Sequence, residues 1–562
     1  MSKKFILSIV LFCLGIVAKA AATDISACEN IVYAKSTTAM AGTTIKLPIL
    51  MNNTTSVPGF QFDMVLPEGV SFVKAELSLD RTTAANTNTF EYQEQADGAI
   101  RVLVASTSNA TFTGNAGEVA TVTLSINENV ADGSYPIILK GIVISDLNAQ
   151  GVQSLEEVES TLTVGKPEYS TDFGIQIAPF ELSSDVEDVT AGVSFVINKG
   201  TYKTVEYDII FPEGWKENDL METVNVRGNS YEGDSFSHLS VKKTSGADFS
   251  TTSNIISYKL YSSSADASYI LSAGIYPIQI TNIVATDADG NKYYAAPTTT
   301  YVKVGEPTEG EIALEGHVTE DVATAISNET SLTKIDMSKV VSINGSLALR
   351  DGCDFVAPRY DVAVGEAKFN RTMTNKIGTI CLPFDIASNA SIQFYQLKSV
   401  GDSKMTFESI ASVQAGTPAL FQLLNEQTEV AITTNAAMLK AGNLNWSGDL
   451  AQWTMKGTYS TLNLDPADNA NTIYYINGNK FYKGNQTFKV SAYRGWFEAS
   501  AQSEDAKSAS YSIDFGDGET TGIDIIEKEN GEIDLIFDLG GKQLPQSKKG
   551  INIINNKKVL VK

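Results

Sequence analysis

The chain has 562 residues and contains 66 aspartates and glutamates against 42 lysines and arginines, which gives a formal net charge of −24. A single hydrophobic core stops growing at roughly 250–300 residues, so a chain of this length is expected to form several domains. Nucleic-acid binding requires a basic surface that neutralises phosphates. The acidic composition therefore excludes a nucleic-acid partner.

The first twenty residues have the order of a secretory signal peptide. Lys3 and Lys4 precede an apolar run over residues 5–17, and small residues up to Ala20 follow it. We predict a signal peptide over residues 1–20, with cleavage after Ala20 or Ala22. A transmembrane helix needs about 20 apolar residues, and neither this run nor any later segment is that long. The mature chain is therefore predicted to lack a transmembrane helix and to be exported to the cell surface or beyond it.

Three cysteines remain after such a cleavage: Cys28, Cys353 and Cys381. This number is too small for a disulfide scaffold, so hydrophobic cores are expected to hold the domains together. A bridge between Cys353 and Cys381 would leave Cys28 unpaired. One bridge and three free thiols both remain open from the sequence.

The segment FDMVLPEG at residues 62–69 recurs as YDIIFPEG at residues 207–214. In both copies, every second residue is apolar, which predicts a strand with one buried side and one outward side. Pro-Glu-Gly ends the strand in each copy. The alternation places Asp63 and Asp208 on the outward side of their strands.

Two further pairs of segments repeat at a similar spacing. GSYPI at residues 133–137 matches GIYPI at 274–278, and VGKP at 164–167 matches VGEP at 304–307. An offset of about 140 residues over three landmarks indicates a duplicated domain rather than a short solenoid repeat. Each copy has several short alternating segments separated by Gly, Asn, Asp and Ser, a pattern typical of a β-sandwich.

Three segments of the first copy, AGTTIKLPILMNNTTSVPGFQFDMVLPEGVSF, IRVLVASTSNATFTGNAGEVATVTLSI and DGSYPIILKGIVISD, resemble the cohesin-like modules of Bacteroidetes secreted proteins. The resemblance implies tandem jelly-roll β-sandwiches, similar to carbohydrate-binding modules, over residues 24–166 and 167–306. It also implies a protein partner, because cohesins bind the calcium-loaded dockerin of an enzyme. A polysaccharide ligand remains open, but Trp215 is the only tryptophan in either copy, and this scarcity favours protein recognition or plain scaffolding over sugar binding.

Residues 308–515 are β-rich without matching the repeat, and they predict a third domain. Asn477-Gly478 lies between two aromatic segments, which predicts a hairpin with a type I′ turn. The aromatic residues suit a sugar-stacking platform or cross-strand packing, of which packing is favoured. Residues 315–345, with scattered Ser, Thr and Asn, are expected to be irregular. TICLPF at 379–384 and YRGWF at 493–497 resemble a β domain found near the C-terminus of Bacteroidales surface proteins.

The C-terminal segment FDLGGKQLPQSKKGINIINNKKVLVK resembles the terminal module of exported Prevotella and Bacteroides proteins. The resemblance implies a sorting or surface-attachment module of the type IX kind over residues 523–562, with export machinery as its partner. The matching positions are Asp538, Leu539, Gly541, Gly550, Ile551, Lys557, Lys558 and Val559. Residues 540–562 also hold six lysines and no carboxylate, unlike the acidic remainder. A terminal hairpin that caps the third domain is the other interpretation.

The sequence supplies little of what catalytic and metal sites need. The two histidines, His238 and His317, lie in different predicted segments, so a nucleophile–histidine pair is not expected. No carboxylate pair stands out as the acid and base of a glycosidase. Residues 287–291 and 514–519 have aspartate spacings found in calcium loops, but neither continues as an EF-hand, and turns are favoured. We predict no catalytic residue, no metal site and no cofactor.

These observations predict an all-β, non-catalytic surface protein that acts as a recognition or scaffold module for a protein partner or a polysaccharide. A structural stalk or adhesin without a specific small ligand is the first alternative, and a glycoside hydrolase is the second. Two similar sandwiches would raise avidity for a repeated ligand if both engaged it, or would serve as a spacer. The sequence does not assign the ligand-binding residues.

Overall fold

The structure is a computed structural model. It describes residues 25–78, 81–82, 88–182, 189–212, 229–235, 238–260, 272–448, 450, 452–500, 503, 506, 508–516, 536–537, 543–544, 549–554 and 557–561. The predicted signal peptide and Trp215 lie outside the described residues. Contacts divide the chain into two compact units, Met1–Ser170 and Thr171–Lys562.

The first unit is a β-sandwich. Its described strands are β1 Ile31–Ala34, β2 Thr37–Ala39, β3 Thr44–Asn52, β4 Gly59–Val65, β5 Val70–Leu77, β6 Asn88–Glu94, β7 Ile100–Ser106, β8 Ala116–Ile126, β9 Gly133–Ser145 and β10 Glu157–Val164. A four-stranded sheet has the order β1-β3-β8-β5, and a six-stranded sheet has the order β2-β10-β9-β4-β7-β6. We call this sandwich the first sandwich.

The core of the first sandwich is formed by apolar side chains that alternate along the strands. On β4, Phe60, Phe62 and Met64 are buried, whereas Gln61 and Asp63 are half-exposed. Burial of one large apolar side chain stabilises the fold by about 1.5–3 kcal/mol, so the alternating pattern determines which side of the strand faces inward. The strand predicted from FDMVLPEG is confirmed.

Arg81 closes one end of the first sandwich by satisfying buried carbonyl groups. It is 4% exposed, and burial lowers the pKa of its guanidinium. Its nitrogens donate to the Thr113 carbonyl at 2.6 Å, the Met51 carbonyl at 2.8 Å and Oδ1 of Asn53 at 2.6 Å. The guanidinium is suited to this position because its planar fork supplies several donors at once.

We expect the substitution Arg81→Met to destabilise the first sandwich by about 2–3 kcal/mol, because it leaves buried acceptors without donors. Amide hydrogen exchange of peptides from β3 would measure the loss. Lys74→Met, at a half-exposed position of the same sandwich, is the control and should stay within about 0.5 kcal/mol. Equal exchange rates in the two variants would contradict this account of Arg81.

The second unit begins with a second sandwich. Its described strands are β11 Phe173–Gln176, β12 Phe180–Leu182, β13 Val189–Ile197, β14 Tyr202–Ile210, β15 Asn229–Ser235, β16 His238–Phe249, β17 Ser253–Leu260, β18 Gly274–Thr286, β19 Lys292–Tyr294 and β20 Thr298–Val304. One sheet has the order β11-β13-β17, and the other contains the order β12-β20-β18-β14-β16-β15. These orders correspond strand by strand to β1-β3-β8 and β2-β10-β9-β4-β7-β6. The duplication predicted from the sequence is therefore confirmed.

Equivalent side chains make equivalent contacts in the two sandwiches. The Tyr135 hydroxyl donates a hydrogen bond of 2.8 Å to the Ala131 carbonyl, and the Tyr276 hydroxyl donates one of 2.8 Å to the Ser272 carbonyl. The parallel pair β2–β10 likewise recurs as the parallel pair β12–β20. The GSYPI and GIYPI segments thus mark the same turn of the same fold.

A parallel β-α-β unit follows the second sandwich. It consists of β21 (Gly310–Val318), α1 (Glu320–Asn328) and β22 (Leu332–Ile343), and β21 pairs in parallel with β22. The Thr319 side chain accepts a hydrogen bond at the start of α1, whose first turn is acidic and whose apolar face is buried. The expectation that residues 315–345 are irregular is wrong. The threonine cap followed by acidic residues was the local signal for this helix.

The sheet of the second sandwich continues into this unit. Thr298 of β20 pairs with His317 of β21, and the His317 amide donates a hydrogen bond of 2.6 Å to the Pro297 carbonyl. The Tyr301 side chain of β20 is buried among the core residues of the third region. One sheet therefore contains strands from both sides of the domain boundary predicted between residues 306 and 308. The predicted domain limits stay predictions.

The rest of the third region is β-structure. Its described strands are β23 Ser346–Arg350, β24 Asp354–Val356, β25 Val362–Thr372, β26 Ile377–Ile380, β27 Ile386–Ala387, β28 Ile392–Val400, β29 Lys404–Ile410, β30 Ser412–Val413, β31 Ala419–Leu423, β32 Glu429–Leu439, β33 Asn445–Trp446, β34 Trp453–Thr458, β35 Leu462–Leu464, β36 Thr472–Asn477, β37 Lys480–Lys483, β38 Phe488–Val490, β39 Arg494–Ala499 and β40 Ser510–Asp514. The largest sheet has the order β26-β31-β28-β29-β40-β37-β36-β39-β34-β33, and β23-β25-β32 form another. The predicted all-β fold class is confirmed.

The predicted hairpin is present, with its turn one residue later than expected. Tyr475 lies opposite Tyr482 and Asn477 lies opposite Lys480, so the two-residue loop is Gly478-Asn479. Gly478 has a φ of 63°, and glycine at the first loop position is typical of a type II′ turn rather than type I′.

Cys28, Cys353 and Cys381 are all free thiols, so the possible bridge between Cys353 and Cys381 is not formed. Both of these side chains are buried in the core of the third region. Burial raises the pKa of the Cys353 thiol to about 11 and also raises that of Cys381. They pack as small apolar side chains.

The described part of the C-terminal segment contains β41 Ile536–Phe537, β42 Gln543–Leu544, β43 Gly550–Ile554 and β44 Lys557–Val561. These strands form a sheet of the order β42-β41-β43-β44. Across the described part of the chain, no helix has the length and apolar character needed to cross a bilayer.

Candidate functional site

The residues predicted to form a sorting module are only partly described. Gly550 and Ile551 lie on β43, and Lys557, Lys558 and Val559 lie on β44, which pairs antiparallel with β43. Asp538, Leu539 and Gly541 lie outside the described residues. The strands agree with a terminal β module, and the sorting role stays a prediction.

Exposed apolar side chains lie at the centre of the outer face of the six-stranded sheet. Leu103 on β7, Gln61 on β4 and Val143 on β9 are cross-strand neighbours, and we call this set the apolar row. Leu103 is 40% exposed and Val143 is 41% exposed. Neighbouring strands lie about 4.8 Å apart, so these two side chains are about 10 Å apart with Gln61 between them.

Charged side chains form the next row across the same strands. Arg101 donates two hydrogen bonds of 2.7 Å to Asp63, one from Nε to Oδ1 and one from Nη2 to Oδ2. Lys140, the neighbour of Asp63 on β9, lies 2.9 Å from Asp97. The hydrogen bond to Asp63 raises the pKa of Arg101, and the bond from Lys140 lowers the pKa of Asp97. Bidentate pairing fixes the position of Asp63, which lies on the outward side as predicted.

A second pair of apolar side chains lies beyond the charged row. Val65 and Ile138 are cross-strand neighbours on β4 and β9, and both are half-exposed. The face therefore presents apolar, charged and apolar rows in succession. Apolar contacts bordered by polar groups are typical of surfaces that bind other proteins.

The outer face of the four-stranded sheet is more polar. Lys46, Thr123 and Lys74 are cross-strand neighbours on β3, β8 and β5, and Glu76 lies 2.9 Å from Lys74. Val73, which lies at a bulge of β5, is 51% exposed. The outer face of the six-stranded sheet, which we call the docking face, is thus the candidate site of the first sandwich.

The equivalent face of the second sandwich has a different surface. By strand register, Lys242, Glu206 and Val284 occupy the positions of the apolar row. Nζ of Lys242 lies 3.1 Å from Oε1 of Glu206, and both side chains are partly exposed. An ion pair therefore stands where the first sandwich has Leu103 and Gln61.

Asp208, the repeat equivalent of Asp63, lies on the predicted outward side of its strand but is covered there and only 2% exposed. Its Oδ1 accepts a hydrogen bond of 2.6 Å from Ser240, and its Oδ2 accepts one of 2.6 Å from Asn282. Side chains from both neighbouring strands cover a carboxylate that alternation alone places on the outer side of β14. The repeat thus keeps the aspartate and changes its environment.

The aromatic hairpin of the third region is internally packed. The ring centroid of Tyr475 lies 4.7 Å from that of Phe488 and 6.3 Å from that of Tyr482. On the other side of the hairpin, Tyr474 and Phe481 are buried. These contacts agree with the packing interpretation of the aromatic residues.

Groups considered for catalysis or metal binding make structural contacts. Nδ1 of His317 lies 2.9 Å from Oγ of Ser342, and burial lowers the pKa of His317. Oδ1 of Asp287 accepts hydrogen bonds from the amides of Asp289 and Asn291 at 3.0 and 2.9 Å, which defines a turn. In the part of the chain that is described, no group of three or more His, Cys, Asp or Glu side chains is placed to hold a metal ion.

Sequence reasoning did not single out the residues of the apolar row, although a signal was present. Leu103 interrupts the alternation within Val102-Leu103-Val104, and Val143 does so within Ile142-Val143-Ile144. A continuous apolar segment on a strand that is solvated on one side indicates an outward apolar residue. The sequence of such segments does not show that Leu103 and Val143 come to lie in the same row of the folded sheet.

The fold and the docking face define the first sandwich as a β-sandwich module with one open, partly apolar sheet face. Residues 32–164 match the family model of the Cohesin domain. This match covers nearly all of the first sandwich and confirms the cohesin-like character expected for residues 24–166. No curated protein matches the chain.

Several solved cohesins are similar to this chain. A non-cellulosomal cohesin from the archaeon Archaeoglobus fulgidus is 20% identical, with 24% of this chain and 91% of that chain covered and a TM-score of 0.21. The sixth cohesin of scaffoldin B from Acetivibrio cellulolyticus, solved with a Cel5 dockerin, is 12% identical, with 24% and 99% covered and a TM-score of 0.22. A cohesin module from a Clostridium perfringens family 33 glycoside hydrolase is 13% identical, with 25% and 96% covered and a TM-score of 0.20.

Proposed function

We propose that the chain is an exported, non-catalytic surface protein that binds a protein partner on the docking face of the first sandwich. The observation that carries the proposal is that the Cohesin match over residues 32–164 includes Leu103 and Val143, the two exposed apolar side chains of the apolar row. The Cohesin domain is a non-catalytic binding domain. A scaffold role, in which the chain holds an enzyme near its substrate, follows from this kind of binding.

The partner class that we propose is a dockerin-like module. The Acetivibrio cellulolyticus cohesin is seen in complex with a dockerin, and so is a cohesin from Clostridium thermocellum. A flat sheet face with apolar rows suits a folded protein module, since a sugar chain is held better by a groove with exposed aromatic rings. The outward residues of the apolar row include no aromatic ring.

The test is a pull-down with the full mature chain from the envelope and culture medium of the native organism, with and without calcium. We expect Leu103→Lys to lower partner affinity by about 30-fold, because it places a charge at the centre of a desolvated contact. Val73→Lys is the matched control, since Val73 is also an exposed aliphatic residue of the first sandwich but lies on the opposite sheet. The control should bind like the unmodified chain.

The other outcomes distinguish the remaining functions. Equal recovery of the partner by the Leu103→Lys and unmodified chains would contradict docking on this face. Binding to a glycan array without any protein partner would make the chain a carbohydrate-binding protein. Absence of binding in both the pull-down and the glycan array would favour a structural stalk.

We propose that the mature chain is exported and that residues 523–562 attach it to the export machinery or the cell surface. The expected N-terminus of the protein isolated from its native cells is Ala21 or Thr23, because cleavage is expected after Ala20 or Ala22. Mass spectrometry of the terminal peptides checks this, and also shows whether the tail is removed. A terminal peptide that begins at Met1 or Ser2 would contradict the proposal.

A further inference from the structure

The docking face has a charge that constrains its partner. Its exposed carboxylates are Glu91 on β6, Asp97 in the following turn, and Glu157 and Glu159 on β10. Cross-strand pairing places Glu91 next to Leu103, Glu157 next to Lys140, and Glu159 next to Ile138. The apolar row is therefore bordered by an acidic side chain on β6, and the second apolar pair by one on β10.

The cations of the face do not offset this border. Arg101 is held by Asp63 through two hydrogen bonds, and Lys140 is held by Asp97. Together with Glu91, Glu157 and Glu159, the face has five carboxylates and two cations. Three negative charges remain, and all three lie at its edges.

A partner with an acidic border would be repelled by this arrangement. Like charges placed opposite each other across an interface cost free energy, whereas opposite charges raise the association rate and select the partner. Anionic polymers are excluded for the same reason. The complementary ligand is a protein surface whose apolar side chains are flanked by lysine or arginine.

The described residues of the second sandwich do not offer this combination. The equivalent of the apolar row contains the ion pair between Lys242 and Glu206, and Asp208 is buried where Asp63 is half-exposed. A partner that buried this row would have to desolvate the ion pair, which is unfavourable. The chain therefore has one docking face of this kind among its described surfaces.

We propose that the docking face selects a protein segment in which apolar residues are flanked by lysine or arginine, and that the second sandwich does not bind such a segment. This inference rests on the proposed function and names the chemistry of the partner. It requires that charge at β6 and β10, and not only the apolar row, contributes to recognition.

The test uses a random peptide library displayed on phage and selected against the full mature chain at low salt. Counter-selection against the Leu103→Lys variant removes peptides that bind elsewhere. We expect the recovered peptides to be enriched in apolar residues flanked by Lys and Arg. Their affinity should fall by about tenfold between 50 and 500 mM salt, because exposed charges are screened over about 10 Å or less at these concentrations.

A charge variant separates the acidic border from the apolar row. The triple variant Glu91→Gln, Glu157→Gln and Glu159→Gln should bind the same peptides about tenfold more weakly and with little salt dependence. Glu76→Gln, on the outer face of the other sheet, is the matched control and should leave binding unchanged. A double variant Lys242→Ala and Glu206→Ala should also leave binding unchanged, since the second sandwich takes no part.

Recovered peptides that are neutral or acidic, or unaltered affinity in the triple variant, would overturn the proposal. Failure to recover any peptide that depends on Leu103 would overturn it as well. The result is separable from the proposed function. The native partner could be lost from the pull-down with Leu103→Lys while the recovered peptides are neutral. Docking on this face would then stand, but its preference for basic segments would be wrong.

Discussion

Replacement of Gly316 with alanine is expected to destabilise the second unit by about 3–5 kcal/mol. Gly316 has a φ of +69°, and a Cβ atom at this position would lie 1.9 Å from the Pro297 carbonyl oxygen. That oxygen accepts the hydrogen bond from the His317 amide where β20 meets β21. The added methyl group therefore forces apart the two strands that join the second sandwich to the third region. Urea unfolding followed by tryptophan fluorescence measures the change, because all four tryptophans lie in the second unit.

Gly352→Ala is the control for backbone conformation alone. Gly352 has a φ of +79°, but a Cβ atom there would meet no atom within 4 Å. Gly352→Ala should lower the free energy of unfolding by only about 1–2 kcal/mol, which is the cost of a left-handed backbone conformation at alanine. If the two variants were equally stable, the close approach of Gly316 to the Pro297 carbonyl oxygen would not be the cause of the destabilisation.

Ile280→Ala is expected to lower the stability of the third region by about 3–4 kcal/mol, although Ile280 lies in the core of the second sandwich. The two parts share a sheet, and Tyr301 of the sandwich is buried in the core of the third region, so they should unfold together. The measurement is tryptophan fluorescence in a Trp215→Phe background, in which the remaining reporters are Trp446, Trp453 and Trp496.

Leu139→Ala is the matched control, because Leu139 is the repeat equivalent of Ile280 and both are fully buried. It should destabilise the first sandwich by a similar amount and leave the tryptophan transition unchanged. Circular dichroism, which reports on both units, should show the loss. A tryptophan transition that is unaffected by Ile280→Ala would mean that the second sandwich unfolds independently of the third region.

The sequence predicted those parts of the fold that depend on local pattern. The period of two around Phe60, Phe62 and Met64 predicted a strand and its buried face correctly, because burial of alternate side chains dominates the free energy of such a strand. The β-α-β unit was missed, because the Ser, Thr and Asn residues scattered over residues 315–345 obscured the threonine cap and acidic first turn of α1. The hairpin was predicted but its turn was placed one residue early, since Asn477-Gly478 and Gly478-Asn479 both suit two-residue turns.

The candidate site was less predictable than the fold. The exposure of Leu103 and Val143 leaves only a weak trace in the sequence, and the acidic border comes from strands at opposite edges of the sheet. Alternation placed Asp63 and Asp208 on the outer side of their strands equally. Only the neighbours on adjacent strands, Arg101 in one case and Ser240 with Asn282 in the other, decide which carboxylate reaches solvent.

By itself the sequence determined that this protein contains a duplicated β-sandwich. The repeated turn segments and the alternating apolar residues are patterns among residues that are close together in the sequence. The tertiary structure alone decided that Leu103, Gln61 and Val143 form one exposed row, and that Lys242 and Glu206 form an ion pair at the equivalent place. The physical reason is that cross-strand neighbours come from distant segments. Which of them meet is determined by strand order and register, which arise only when the whole sandwich packs around its core.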